Sequence, residues 1–77
     1  MSIVEFDWDD ANQQHIGRHG VSPSEAEEAV TIDPLDADLQ QEGGEPRVIC
    51  FGRTKSGRLL TVLYTERRGK ARVVTAL

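Results

Sequence analysis

Seventy-seven residues with a formal net charge of −4 make room for one domain, and a chain this short buries only about 60% of its unfolded surface, which leaves little stability in reserve. A single cysteine, Cys50, excludes an internal disulfide, and no apolar run is long enough for a secretory leader or a membrane span, so a soluble cytoplasmic protein is expected. The charge is split: residues 1–46 carry twelve acidic residues against Arg18 alone, while residues 47–77 carry eight basic residues against Glu66. Such asymmetry points to a face for polyanions or acidic partners, or else to one half neutralising the other inside the fold.

In chain order, residues 3–8 alternate, with Ile3, Glu5 and Asp7 on one side and Val4, Phe6 and Trp8 on the other, which predicts a half-buried edge strand. Asp9 can cap a helix through Ala11, His15 and Ile16, and Gly20 can close it in the left-handed region. Ser22, Pro23, Ser24 and Glu25 then form a capping box with proline at the first helical position. Ala26, Ala29 and Val30 recur at helical spacing while Glu25, Glu27 and Glu28 favour solvent, and Asp33-Pro34 ends this second helix near Ile32. Residues 35–45 are acidic and contain Gly43-Gly44; they predict a surface loop holding at most a short strand near residues 38–40.

Beyond Pro46 the texture becomes β-branched and apolar. Residues 47–53 (RVICFGR) read as a buried central strand, residues 54–57 as a hairpin turn, and residues 58–65 (RLLTVLYT) as a second central strand. Residues 66–69 turn the chain again and residues 70–76 form the last strand. The order β-α-α-β-β-β is an α+β fold, with two N-terminal helices packed on one face of a mostly antiparallel sheet.

His15 and His19 lie one helical turn apart, a spacing that could serve a metal, but no glutamate intervenes and further ligands would have to come from elsewhere; packing and hydrogen bonding at the corner is the plainer reading. Cys50, inside a buried strand, reads as a small hydrophobe and not as a nucleophile. The basic sheet offers more. Arg53, Arg58, Tyr64, Arg67, Arg68 and Arg72 lie on adjoining strands and turns, so that several are expected to converge, bind phosphates through guanidinium forks and stack a base on Tyr64 or Trp8. Metal-free cleavage of RNA needs an activated 2′-hydroxyl, a proton donor for the departing 5′-oxygen and cations for the phosphorane-like charge, roles that His, Tyr, Lys and Arg can fill. Against this, each arginine alone reads as a solvated strand-edge or turn residue, and Tyr64 as a core ring.

The segments F-D-W-D, H-I-G-R-H-G-V-S with its acidic helix, D-P, F-G-R-T-K-S-G-R-L-L-T-V-L-Y-T and R-V-V-T-A together resemble the BrnT family, toxins of type II toxin-antitoxin modules with a RelE-like ribonuclease fold. The likeness spans almost the whole chain as one domain of residues 1–77, and its most specific parts are Arg18 to Val21 and the G-R-x-x-x-G-R-L-L of residues 52–60. It implies a metal-independent endoribonuclease without cofactor, neutralised by a ribbon-helix-helix antitoxin. The family's functional positions fall on His19, Arg53, Arg58, Tyr64 and the Arg67-Arg68 turn; taken with the basic sheet, His19, Arg53, Arg58, Tyr64 and Arg72 are expected to be catalytic, and Trp8, Lys55, Arg67, Arg68 and Lys70 to contact RNA. Members of the family continue past the last strand into a basic helix, whereas here Ala76 is followed by Leu77; an uncovered sheet edge then offers a place for a homodimer. The alternative is a non-catalytic relative that serves as an antitoxin-binding or regulatory module.

Overall fold

Helix begins where the sequence supplies a cap. In the computed structural model, which describes residues 5–42 and 45–77, the Asp9 carboxylate accepts from the Asn12 N–H at 3.0 Å and the Asn12 side chain accepts from the Asp9 N–H at 2.8 Å. This reciprocal pair opens α1 (Asp10–Gly17). Gly20, at φ +72°, then lets the chain double back so that the Val21 N–H reaches the Ile16 carbonyl at 3.2 Å. The expected capping box comes at once: Ser22 Oγ accepts from the Glu25 N–H at 3.2 Å and the Glu25 carboxylate from the Ser22 N–H at 3.1 Å, starting α2 (Pro23–Thr31).

The four strands β1 (Asp33–Glu42), β2 (Glu45–Arg53), β3 (Leu59–Arg67) and β4 (Lys70–Ala76) form one sheet in the order β1-β2-β3-β4. Every neighbouring pair is antiparallel, so two helices lie on one face of an antiparallel sheet, the α+β arrangement expected from the sequence. The core joins Ile16, Val21, Ala26 and Ala29 of the helical corner to Cys50, Leu60, Val62, Tyr64, Ala71, Val73 and Ala76 of the sheet. No helix among the described residues is long and apolar enough to cross a membrane.

Two expectations change. Residues 35–45 read as a loop by composition, yet β1 occupies Asp33–Glu42 and pairs with β2 along its length, with a bulge between Pro34 and Asp36. An edge strand needs a partner on one side only, so Asp36, Asp38 and Gln40 stay solvated while Ala37 and Leu39 alternate with them. The expected first strand is the second change. Ile3 and Val4 lie outside the described residues, and residues 5–8 make only an isolated parallel bridge, Phe6 to Ala71. Asn12 explains its brevity: its amide donates to the Asp7 carbonyl at 2.9 Å and to the Val73 carbonyl at 3.3 Å, occupying the edge of β4 where further pairing would run.

The tightest constraint lies at Gly52. A Cβ there would stand 1.9 Å from the Ala29 carbonyl oxygen and 2.7 Å from its carbon, so α2 rests with its backbone directly on β2. Gly17, by contrast, has nothing within 4 Å of a Cβ. Gly52→Ala should therefore destabilise the fold by about 2 kcal/mol or more in urea denaturation, because helix backbone and not a flexible side chain has to move. Gly17→Ala should leave stability unchanged or raise it by up to ~1 kcal/mol.

The two caps also set an acid limit. Asp9 is held below its ordinary value of 3.8, first by the Asn12 N–H and then by Arg72, and Glu25 below 4.5, first by the Ser22 N–H with Arg58 adding to it. Both carboxylates bind protons less tightly folded than unfolded. Their contribution is thus complete above the unfolded values and is lost as pH falls through the folded ones. An Asp9→Asn/Glu25→Gln variant should lose less stability than the parent between about pH 5 and about pH 3, read as a shallower pH slope in denaturation midpoints.

Candidate functional site

The ion pairs answer the question raised by the split charge. Arg53 pairs with Asp33 at 3.8 Å, Arg58 with Glu25 at 3.2 Å, Lys70 with Glu5 at 3.7 Å, and Arg72 with Asp7 at 3.6 Å and Asp9 at 2.8 Å. Each joins an acid from the first half to a base from the second. Most of these side chains are substantially exposed, so individual pairs add little stability; what they do is fix which cations are already neutralised.

At the β2–β3 hairpin, Arg58 acts as a clamp. Its Nη1 donates to the Gly20 carbonyl at 2.7 Å and to both Glu25 carboxylate oxygens at 3.2 and 3.3 Å, tying the hairpin to the helical corner. The hairpin is built for this: Thr54 Oγ1 accepts from the Arg58 N–H at 3.0 Å, and Gly57 takes a φ of +91°. Arg53 reaches Asp33, and the Lys55 N–H donates to Glu28 at 3.1 Å. His19 lies exposed, its ring edge-on to His15 with centroids 5.9 Å apart.

A second basic group sits at the far end of the sheet. In register, Gln40, Arg47, Thr65 and Arg72 form one row across the face that the helices leave open, and Arg67 pairs with Lys70 in the next row. Thr65 is buried between its arginine neighbours, and Arg47 Nε is buried with no hydrogen-bond partner. Arg68, at φ +54°, makes the turn. Asp7, Arg67, Arg68 and Lys70 line an open depression of about 350 Å³. A neighbouring groove of about 300 Å³, between α1 and β4, is lined by Ala11, Asn12, His15, Arg72, Val73 and Val74. The two hollows meet where Arg72 grips Asp7.

The residues expected to share a site therefore do not converge. Nine positions separate Arg58 from Arg67 along an extended strand, about 30 Å, so Arg53, Lys55 and Arg58 stand at one end and Arg67, Arg68, Lys70 and Arg72 at the other, while His19 belongs to neither group, its ring lying 5.9 Å from that of His15 on α1. Tyr64 belongs to neither. It lies on the helix side of the sheet, 8% exposed, between Val48 and Val73, and burial pushes its phenol above the ordinary value. Trp8 stacks on Phe6 at 6.3 Å and donates its Nε1 proton to Glu27 at 2.7 Å, so the ring packs partly buried against the core. Cys50 is buried against the Ala29 carbonyl, and its thiol is likewise pushed up by burial. Among the described residues no three His, Cys, Asp or Glu side chains gather as a metal site would require.

Two residues passed over in the sequence come forward. Arg47 reads there as the start of a buried strand, but register sets its guanidinium beside Thr65 and Arg72 on the open face. His15 reads as a corner residue, yet α1 lies along β4 and brings His15 into the groove with Arg72. Alternation along residues 47–53 could have placed Arg47; nothing local could have placed His15, because its neighbour is 57 positions away.

No curated protein and no solved structure matched the chain in a search of each. The family model of the BrnT ribonuclease toxins of type II toxin-antitoxin systems matches residues 8–76, from Trp8 through β4, and the chain belongs to that family.

Proposed function

We propose that the ribonuclease site of this toxin is the β3–β4 end of the sheet, running from His15 across Arg72 to Arg67, Arg68 and Lys70. The observation that carries the reading is that Arg72 lines the groove holding His15 while its partner Asp7 lines the cationic depression, so one guanidinium links the two hollows. An RNA phosphate seated in the depression would meet Arg67, Arg68 and Lys70, and the neighbouring ribose would lie toward the groove.

The chemistry follows from those positions. The His15 imidazole takes the proton of the ribose 2′-hydroxyl, whose oxygen bonds to the adjacent phosphorus; the bond to the 5′-oxygen breaks, and the imidazolium returns its proton to that leaving oxygen. Arg72 and Arg47 face the charge that builds on the non-bridging oxygens, so the cleavage is metal-independent. A ribbon-helix-helix antitoxin is the neutralising partner that the family likeness supports. Arg58, at the other end, holds the hairpin to the helical corner, and Arg53 pairs with Asp33.

A second reading is favoured by one observation: Arg72 is already held by Asp7 and Asp9, and Lys70 by Glu5. If those carboxylates are not displaced by phosphate, the chain is a non-catalytic member that retains the antitoxin surface.

The readings separate in a cleavage assay on purified protein with a defined RNA. His15→Ala should lower kcat/KM by about 10²-fold or more, and Arg67→Ala/Arg68→Ala should weaken RNA binding and flatten its salt dependence. Arg53→Ala should stay within about threefold of the parent, a range that reflects no change in transition-state contacts. Loss of cleavage on Arg53→Ala with His15→Ala unaffected would move the site to the opposite end; intact RNA at every concentration, with antitoxin still bound, would leave the second reading.

A further inference from the structure

The two edges of the sheet are treated differently. The edge of β4 is closed: the Ala71 N–H donates to the Glu5 carbonyl at 3.0 Å, the Asp7 N–H to the Ala71 carbonyl at 2.8 Å, and the Asn12 amide to the Val73 carbonyl at 3.3 Å. Among the described residues no strand pairs with the outer edge of β1, which runs on from Asp36 beyond the bulge. Its outward direction is marked by Ala37, whose N–H is taken not by β2 but by the Asp36 carboxylate at 2.9 Å. Ladder groups alternate along a strand, so the amides and carbonyls of Leu39 and Gln41 share that direction.

The side chains flanking this edge are sorted by face. On the open face stand Asp36 and Asp38, which, among the described residues, take part in none of the ion pairs that join the two halves of the chain. On the helix side stands Leu39, 62% exposed; Leu35, at the bulge, and Ile32, at the end of α2, are exposed as well. An isolated apolar side chain at the surface needs no explanation, but here Leu35 and Leu39 flank unpaired backbone and lie next to uncompensated carboxylates. Pro34 and the bulge at Leu35 interrupt only the first residues of the strand, which leaves the stretch from Asp36 onward free to pair.

We propose that the β1 edge is a docking site for an extended basic segment of a partner protein, which adds to the sheet as a fifth strand. Its alternate side chains would be cationic, opposite Asp36 and Asp38, and apolar, opposite Ala37 and Leu39, so that backbone pairing supplies affinity and the two faces supply register. A second copy of this chain is the wrong occupant. Two β1 edges laid together would bring the Asp36 and Asp38 carboxylates of both copies onto one face, where like charges oppose each other directly. The proposal is independent of where RNA is cleaved, since β1 lies on the far side of the sheet from β4.

The test uses the full chain and a ten-residue peptide of alternating lysine and valine, read by amide hydrogen exchange and by titration. Binding should slow exchange at Leu39 and Gln41 and weaken as salt is raised. Asp36→Asn/Asp38→Asn, both at exposed positions, should weaken it by about tenfold, as expected for two exposed ion pairs. The same peptide with alternate backbone nitrogens methylated keeps its charge but cannot form the ladder, and should not bind. Unchanged exchange along β1, equal binding of the methylated peptide, equal binding of a glutamate-valine peptide, or self-association of the protein through β1 would each overturn the proposal.

Discussion

The seating of α2 on the sheet at Gly52 governs the rest of the molecule. Because the Ala29 backbone comes to where any side chain at position 52 would stand, the helix has one depth and one position along β2. The small residues of α2 follow from that contact, since Ala26 and Ala29 are the fully buried ones. With α2 fixed, its first turn presents Glu25 to Arg58, its middle presents Glu27 to Trp8, and its last turn delivers the chain into β1. Apolar burial drives the association and the glycine sets its geometry.

Charge is then distributed by that geometry. Acidic residues of the first half are laid over basic residues of the second at both ends of β3, which is how a chain of such unequal halves avoids self-repulsion. The coverage is uneven. At the hairpin end Arg58 is held by a carbonyl and a carboxylate and Arg53 by Asp33, whereas at the other end Arg72 is held by Asp7 and Asp9 and Lys70 by Glu5, while Arg47 Nε has no hydrogen-bond partner among the described residues. The buried, unbonded Arg47 Nε and the groove that joins Arg72 to His15 are what support the proposed cleavage site at the second place.

Much of the architecture could be read from local signals with short range. Caps and breakers such as Asp9, Gly20, Ser22 with Glu25, and Asp33-Pro34 act within a few residues, and the period of two in β2 to β4 comes from a sheet with one dry face. What escaped was set by partners far along the chain. The acidity of residues 35–42 hid β1, because an edge strand tolerates polar residues on both faces when its backbone is paired on one side. In the described part of the expected first strand, pairing with β4 does not run past Phe6 and Asp7, because Asn12, a capping residue by sequence, also takes the edge of β4 at Val73. For the site the sequence named candidate residue types but could not tell which arginines share an end. That is decided by register: Arg72 falls opposite Thr65 and Arg47, while Arg58 lies outside the ladder at the far hairpin.

Whether RNA meets the β3–β4 end, with His15 and Arg72 at the reacting ribose, is tested most directly by titration. A short RNA, made uncleavable by 2′-deoxy substitution, is added to isotope-labelled protein while backbone amide and arginine side-chain resonances are followed. Shift changes should cluster at His15, Arg47, Thr65 and residues 67–72, with Gly20 and residues 53–58 undisturbed. Changes centred on Arg53 and Arg58, with the β3–β4 end silent, would contradict the assignment.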